Sequence, residues 1–390
     1  MEITQASIVV VAAVAVLAPI LADLTPRVRV PIVVAEVALG VIVGPEVLGL
    51  AEVDDFIDAL SVYGLAFLFF LAGMEIDFAR IGGRPTELGF AGWWLSFALG
   101  LAISFTLWAL GAITAPVLVG LAVTTTALGT LMPILRDAGV LGRRFGDYLV
   151  AAGAAGEFLP VVAVSVILAV ESGEPARTAL LLVFAVIAAA IGVVAVRSRP
   201  ARVVRLVRTT MGTSGQLAVR LALLLIVGLV VLAAELDLDV ILGAFVAGIV
   251  VGIVIRDTDA RAFEAKLDAV GFGFLIPIFF IATGMEYDLD ALLSDPIDVV
   301  LVPAFAALFL LCRGAPALLL YRRDLPRDER PPLALFSAAA LPLVIAITEI
   351  GTETGAMDER EAVALVSAGM LSVLVFPILG LNRLRRRGPD

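Results

Sequence analysis

Apolar runs of the length needed to cross a bilayer fill this chain almost end to end, and no other feature constrains its fold as tightly. A transmembrane helix needs about 20 predominantly apolar residues. Hydropathy, punctuated by Gly, Pro and charge, marks such runs at approximately 6–22, 30–49, 57–76, 88–112, 115–135, 145–170, 177–196, 217–235, 238–255, 265–285, 298–321, 332–349 and 361–382. In lipid every backbone polar group needs an internal partner, so runs like these are helices. The expected fold is an all-α polytopic membrane protein with thirteen transmembrane helices. Its 61% hydrophobic composition exceeds the roughly 45–50% of soluble domains. The opening MEITQAS lacks a basic stretch, so the first run is read as a retained helix and not as a signal peptide.

The loops between these runs alternate in charge. One set holds Arg27 and Arg29, Arg80 and Arg84, Arg136 to Arg144, Arg197 to Arg208, Arg256 to Lys266, Arg322 to Arg330 and the Arg383 to Arg387 tail. The other holds Glu52 to Asp58, Glu171 and Glu174, Glu235 to Asp239, Glu286 to Asp298 and Glu353 to Glu361. The positive-inside rule makes the basic side cytoplasmic, which places the N-terminus outside a cell membrane and the C-terminus inside. The acidic loops admit two readings: a vestibule that concentrates cations, or simply an acidic surface.

The two halves of the chain resemble each other. Phe69–Asp77 (FFLAGMEID) returns as Phe279–Asp288 (FFIATGMEYD), 210 to 211 residues on. Gly40 and Gly44 return as Gly248 and Gly252, and Pro133 as Pro342, at nearly the same offset. The matched helices are seven spans apart, an odd number, so the second copy runs the opposite way. This predicts two inverted six-helix repeats, approximately 6–170 and 217–382, joined by a linker helix at 177–196. Inverted repeats are a recurring plan for secondary transporters, with sites at discontinuous helices near the midplane. The fifth and twelfth spans are the expected broken pair. Thr124, Thr125 and Thr126 lead to Pro133 in one, and Ser337 and three alanines lead to Pro342 in the other. Each proline removes a backbone N–H. Threonine hydroxyls and freed carbonyls suit a dehydrated monovalent cation; the same hydroxyls also bond the preceding turn or hold helices together.

Glu157 stands alone in the apolar run from Asp147 to Val170. A helix entered near Phe145 carries it about 12 residues in, roughly 18 Å deep, in a core about 30 Å thick. A carboxyl group there is costly and marks an ion or proton pathway. The chain contains no histidine, so proton chemistry near neutral pH falls to carboxyls shifted by burial. Its one cysteine, Cys312, rules out an intramolecular disulfide. Glu36 lies inside the second span and Glu349 near the outer end of the twelfth, read as a helix contact and a solvated group. No cofactor and no nucleic-acid partner is expected.

Pro31–Gly49, Phe67–Asp77, Thr124–Asp137, Ala151–Val161 and Pro277–Asp288 together resemble the cation:proton antiporter-2 family of bacterial sodium/proton and Kef-type exchangers. The resemblance covers nearly the whole chain. It implies crossed discontinuous helices and a homodimer whose core domains move like elevators. It also implies a carboxylate on the sixth span that takes the proton or the cation, at Glu157. Thr126 matches the threonine of the broken helix, with Thr125 beside it, and Arg313 matches the basic residue of the eleventh span. The chain departs from the family pattern in three places. Gly156 precedes Glu157 where the family commonly has Asp, Asn or Gln before Asp; Arg313 replaces a frequent Lys; and a short basic tail stands where Kef-type members carry a soluble regulatory domain.

The expected function is monovalent cation (Na⁺ or K⁺)/proton antiport, with both cargoes competing for Glu157. A single acid there predicts electroneutral 1:1 exchange. Arg313 either pairs with Glu157 in the empty state, forms a permanent salt bridge, or snorkels to the interface. The alternatives are a sodium-coupled symporter of an organic anion and a potassium efflux system. An enzyme is not expected, because no metal-ligand cluster or nucleophile–base pair stands out.

Overall fold

A computed structural model describes residues 2–24, 31–75, 83–171, scattered positions between 179 and 191, 215–236, 240–255, 260–293 and 296–385. Among these residues all regular structure is helical. The helices are α1 (Glu2–Leu24), α2 (Ile32–Val43), α3 (Asp55–Glu75), α4 (Arg84–Ala109), α5 (Pro116–Ala122), α6 (Leu128–Asp137), α7 (Arg144–Glu171) and α8 (Leu217–Glu235). They continue with α9 (Val240–Ile255), α10 (Ala260–Val270), α11 (Ile276–Met285), α12 (Leu289–Leu293), α13 (Pro296–Leu320), α14 (Arg330–Ser337), α15 (Pro342–Glu353) and α16 (Glu359–Arg385). A π-helical turn, Gly271–Leu275, joins α10 to α11.

Among the described residues, eight helical stretches are long and apolar enough to cross a membrane. Ala6–Ala22, Ile32–Val43 and Val240–Ile255 are shorter apolar helices. The chain is a multi-pass membrane protein. Helices occupy the expected spans other than the seventh; of that one, at 177–196, only scattered helical positions between 179 and 191 are described, and the basic stretch Arg197 to Arg208 lies outside the described residues.

The chain divides into two compact units. The first comprises Met1–Val53, Ala79–Pro160 and Ile281–Asp390; the second comprises Asp54–Phe78 and Val161–Phe280. In the second, the Asp54 carboxylate accepts the N–H groups of Phe56 and Ile57 at 3.0 and 2.9 Å and so caps α3. There α3 and α9 meet backbone to backbone. A methyl group on Gly73 would strike the Phe245 carbonyl, one on Gly248 the Phe70 carbonyl, and one on Gly252 the Met74 carbonyl.

In the first unit α2 and α11 meet in the same manner. A methyl group on Gly40 would strike the Ile281 carbonyl, one on Gly44 the Met285 Cα, and one on Gly284 the Val37 carbonyl. Small residues let helices approach closely where lipid supplies no hydrophobic drive between them. The sequence matches Gly40 to Gly248, Gly44 to Gly252 and Met74 to Met285, so matched residues make matched contacts.

The two interrupted helices also lie in the first unit. The fifth span is α5 and α6 with residues 123–127 unwound between them, and the twelfth is α14 and α15 with 338–341 unwound. Pro342 is the first residue of α15, where a missing N–H costs nothing. Pro133 corrects the sequence expectation. It lies inside α6, past the interruption, so it does not open the helix. The opening comes from backbone groups at 126–127 that bond other segments instead of their own helix.

Side chains tie the ends of this unit together. Thr114, just before α5, donates its N–H and hydroxyl to Glu361 Oε2 of α16 at 2.7 and 2.6 Å. Where α4 and α7 begin, Tyr148 donates to Asp324 Oδ1 at 3.2 Å, and Arg84 Nε lies 3.5 Å from the same oxygen.

Candidate functional site

The two unwound segments are bonded to each other. Ala127 N–H donates to the Ala339 carbonyl at 2.8 Å, and the Thr126 hydroxyl donates to the Ser337 carbonyl at 2.6 Å. Thr126 N–H donates to the Gly156 carbonyl of α7 at 3.0 Å. That carbonyl is open because its normal helical donor would be residue 160, and Pro160 has no N–H. A proline four residues after Gly156 therefore turns α7 into an acceptor for the broken helix. On the other segment, Ala340 N–H donates to Ser372 Oγ of α16 at 3.0 Å. Ser372 Oγ in turn lies 2.7 Å from the Gly369 carbonyl.

Arg313 projects from α13 into this crossing and is 4% exposed. Its Nη2 donates to Thr126 Oγ1 and to the Ala152 carbonyl, both at 2.8 Å. Its Nε lies 3.1 Å from Thr126 Oγ1 and 3.3 Å from the Ser337 carbonyl, and Nη1 lies 3.5 Å from Ser96 Oγ of α4. Ser337 ends α14, so its carbonyl belongs to the negative end of that half-helix. The guanidinium thus answers a concentrated partial negative charge. It touches α4, α7, α14 and the unwound Thr126 at once.

Glu157 follows Gly156 on α7 and is 7% exposed. The run Ala151 to Gly156 is built from Ala and Gly alone, which lets the crossing approach the backbone of α7. A methyl group on Gly153 would lie 2.7 Å from a Leu128 methyl at the start of α6. Sequence reasoning named Glu157, Thr126 and Arg313, and the structure gathers Arg313, Thr126 and the residue before Glu157 at one point. Thr124 and Thr125 are buried, but their hydroxyls donate back to Leu121 and Ala122 at 2.6 and 2.8 Å. Glu36 is buried on α2, Glu349 is exposed, and Cys312 is buried.

Several participants escaped the sequence reading. Ala152 acts through its carbonyl, which no residue identity reveals, and Ser337, named within the broken twelfth span, also acts through its carbonyl. Ser96 and Ser372 carry no pattern in the sequence that sets them apart from other serines. Pro160 carried a usable signal, because its distance from Gly156 equals one helical hydrogen bond.

A buried carboxyl group one residue from the junction of two interrupted helices, in a multi-pass helical bundle, is the arrangement of a membrane transporter. Residues 12–380 match the family described as "Sodium/hydrogen exchanger, transmembrane", and the chain belongs to that family. It is 28% identical over 390 residues to "Putative Na(+)/H(+) antiporter YjbQ" of Bacillus subtilis, covering 96% of this chain and 62% of that protein. It is 22% identical to "Probable Na(+)/H(+) antiporter 3" of Methanocaldococcus jannaschii, covering 92% of each. The "Na(+)/H(+)-K(+) antiporter GerN" of Bacillus cereus is 24% identical, over 91% of this chain and 90% of that one. Among solved structures, the sodium proton antiporter MjNhaP1 from Methanocaldococcus jannaschii matches with a TM-score of 0.67 at 17% identity, covering all of both chains. That likeness establishes the fold.

Proposed function

We propose that this protein exchanges Na⁺ or K⁺ for a proton across the cell membrane, with Glu157 as the group for which the two compete. The observation that carries this reading is the burial of Glu157 beside the crossing of the interrupted helices. Its membership of the sodium/hydrogen exchanger family supports the reaction class. The names of the relatives support Na⁺, and GerN's name also supports K⁺.

In this reading an incoming cation displaces the proton from Glu157. Either cargo neutralises the carboxylate, so the loaded protein escapes the cost of carrying a bare charge through a low-dielectric barrier. One acid exchanging one proton for one monovalent cation makes the cycle electroneutral. Thr126 and the open carbonyls complete the cation's shell once Arg313 gives up its bonds to that threonine, and Thr125 offers a further hydroxyl. The matched contacts of α2–α11 and α3–α9 support two inverted repeats. Rigid-body elevator motion in a homodimer, with the N-terminus outside, completes the reading.

The test is proton flux in proteoliposomes under an imposed pH gradient, with Na⁺, K⁺ or Li⁺ added in turn. Wild type should collapse the gradient on cation addition, and Glu157→Gln should not. Equal responses from the two proteins would remove Glu157 from the mechanism. A current that reverses away from the electroneutral condition would count against 1:1 exchange.

A further inference from the structure

The residue before Glu157 has no side chain, and the space a side chain would take is filled. A Cβ built on Gly156 would lie 2.5 Å from Arg313 Nη2 and 2.5 Å from Thr126 Oγ1. Real Cβ atoms do not approach other heavy atoms that closely. Any other residue at 156 must therefore displace a neighbour, and the guanidinium, at the far end of a long flexible side chain, gives way before the short Thr126, whose Cβ would lie 2.9 Å from the added atom. Not every glycine near Arg313 is so confined: at Gly314 the same added atom would come no closer than 3.4 Å to its nearest neighbour, an ordinary contact.

What the guanidinium does in that space gives the glycine its meaning. From there Arg313 reaches Thr126 Oγ1, the Ala152 carbonyl and the Ser337 carbonyl together. A side chain with five donors in a rigid fork satisfies several acceptors at once only from one position. Thr126 Oγ1 is then fully used. It accepts from both Nη2 and Nε of Arg313 and donates to the Ser337 carbonyl. The Arg313 head is thus a tethered cation sitting on oxygens that a transported cation would need.

We propose that Gly156 is a positioning residue for exchange at Glu157: its bare α-carbon seats the Arg313 guanidinium, and through that seat sets how tightly the site takes its cation. This rests on the antiport reading given above. Gly156 and Arg313 then act as one unit, so disturbing either disturbs the same thing. Unseating the guanidinium ends its competition for the Thr126 oxygen and lowers the apparent KM for the cation.

The experiment is a double-mutant cycle on the full chain in proteoliposomes, with wild type, Gly156→Ala, Arg313→Lys and the double variant. The cation KM and the maximal rate are measured separately. Each single substitution should lower the KM by about fivefold or more, and the double variant should match Gly156→Ala alone, as coupled neighbours do. A KM that is unchanged or raised in Gly156→Ala overturns the proposal. So does a double variant whose change is the product of the two single changes. If Gly156→Ala fails to yield monodisperse protein, recovery in the double variant supports the seat, and equal failure of both overturns it. Melting temperatures of the four detergent-solubilised proteins keep the two ideas apart. If wild type exchanges no cation, the antiport reading fails, while non-additive melting shifts still support the seat and additive ones overturn it.

Discussion

The two interruptions of the helices solve the same problem by different means. In 123–127 side chains do much of the work: Thr124 and Thr125 satisfy their own preceding turns, and Thr126 reaches across to Ser337 and Arg313. In 338–341 three alanines and a leucine contribute no polar side chain. Their backbone is held from outside, by Ser372 at Ala340 and by Ala127 at Ala339. The difference teaches that only the first interruption carries chemistry in its side chains. The second is a scaffold that presents carbonyls. Losing the Thr126 hydroxyl, the one on the first that reaches other segments, should change transport, whereas damage to the second should appear first as instability.

The largest break in that comparison is Thr126→Val. It keeps the shape, removes the hydroxyl, takes one acceptor from the buried guanidinium and takes from the Ser337 carbonyl its shortest donor. Leaving buried groups unsatisfied costs about 1–3 kcal/mol each, more when charged. Thermal unfolding should record a loss near the top of that range, with transport falling well beyond it, while Thr126→Ser stays close to wild type. Ser372→Ala comes next. It orphans the Ala340 N–H for about 1–3 kcal/mol, lowering the melting temperature while the cation KM holds. A fall in transport as large as that of Thr126→Val would erase the distinction between the interruptions. The smallest effect belongs to Thr124→Val, whose hydroxyl only doubles back on its own turn. Its expected cost is about 0.5–1.5 kcal/mol, that of one ordinary hydrogen bond, with little change in flux.

Much of this was legible in the sequence because lipid makes patterns strict. A helix in hydrocarbon must be long and apolar, so the spans could be read directly, and a lone acid such as Glu157 stood out against them. Gly40, Gly44, Gly248 and Gly252 were visible as a repeat, although only the structure shows whose carbonyls they meet. The position of the first interruption was not legible. Proline is a strong signal, and Pro133 drew attention from the true opening, which depends on acceptors supplied by other segments: Gly156 for Thr126 and Ala339 for Ala127. Such acceptors are backbone atoms brought near by folding, and no residue type announces them. Gly156 and Arg313 read as unrelated along the chain. They meet at one point because a missing side chain and a longer one are complementary volumes.

The glycine contacts of α2 with α11 and of α3 with α9 bear on how each helix pair carries mechanical load. Helices that meet through side chains have some play, since rotamers can shift as one helix slides. At Gly40, Gly284, Gly73 and Gly248 a carbonyl faces an α-carbon with nothing between them to rearrange. Each pair is therefore a girder without backlash. Sliding one helix along the other would set carbonyl against α-carbon at these glycines, so the two must part before they slide.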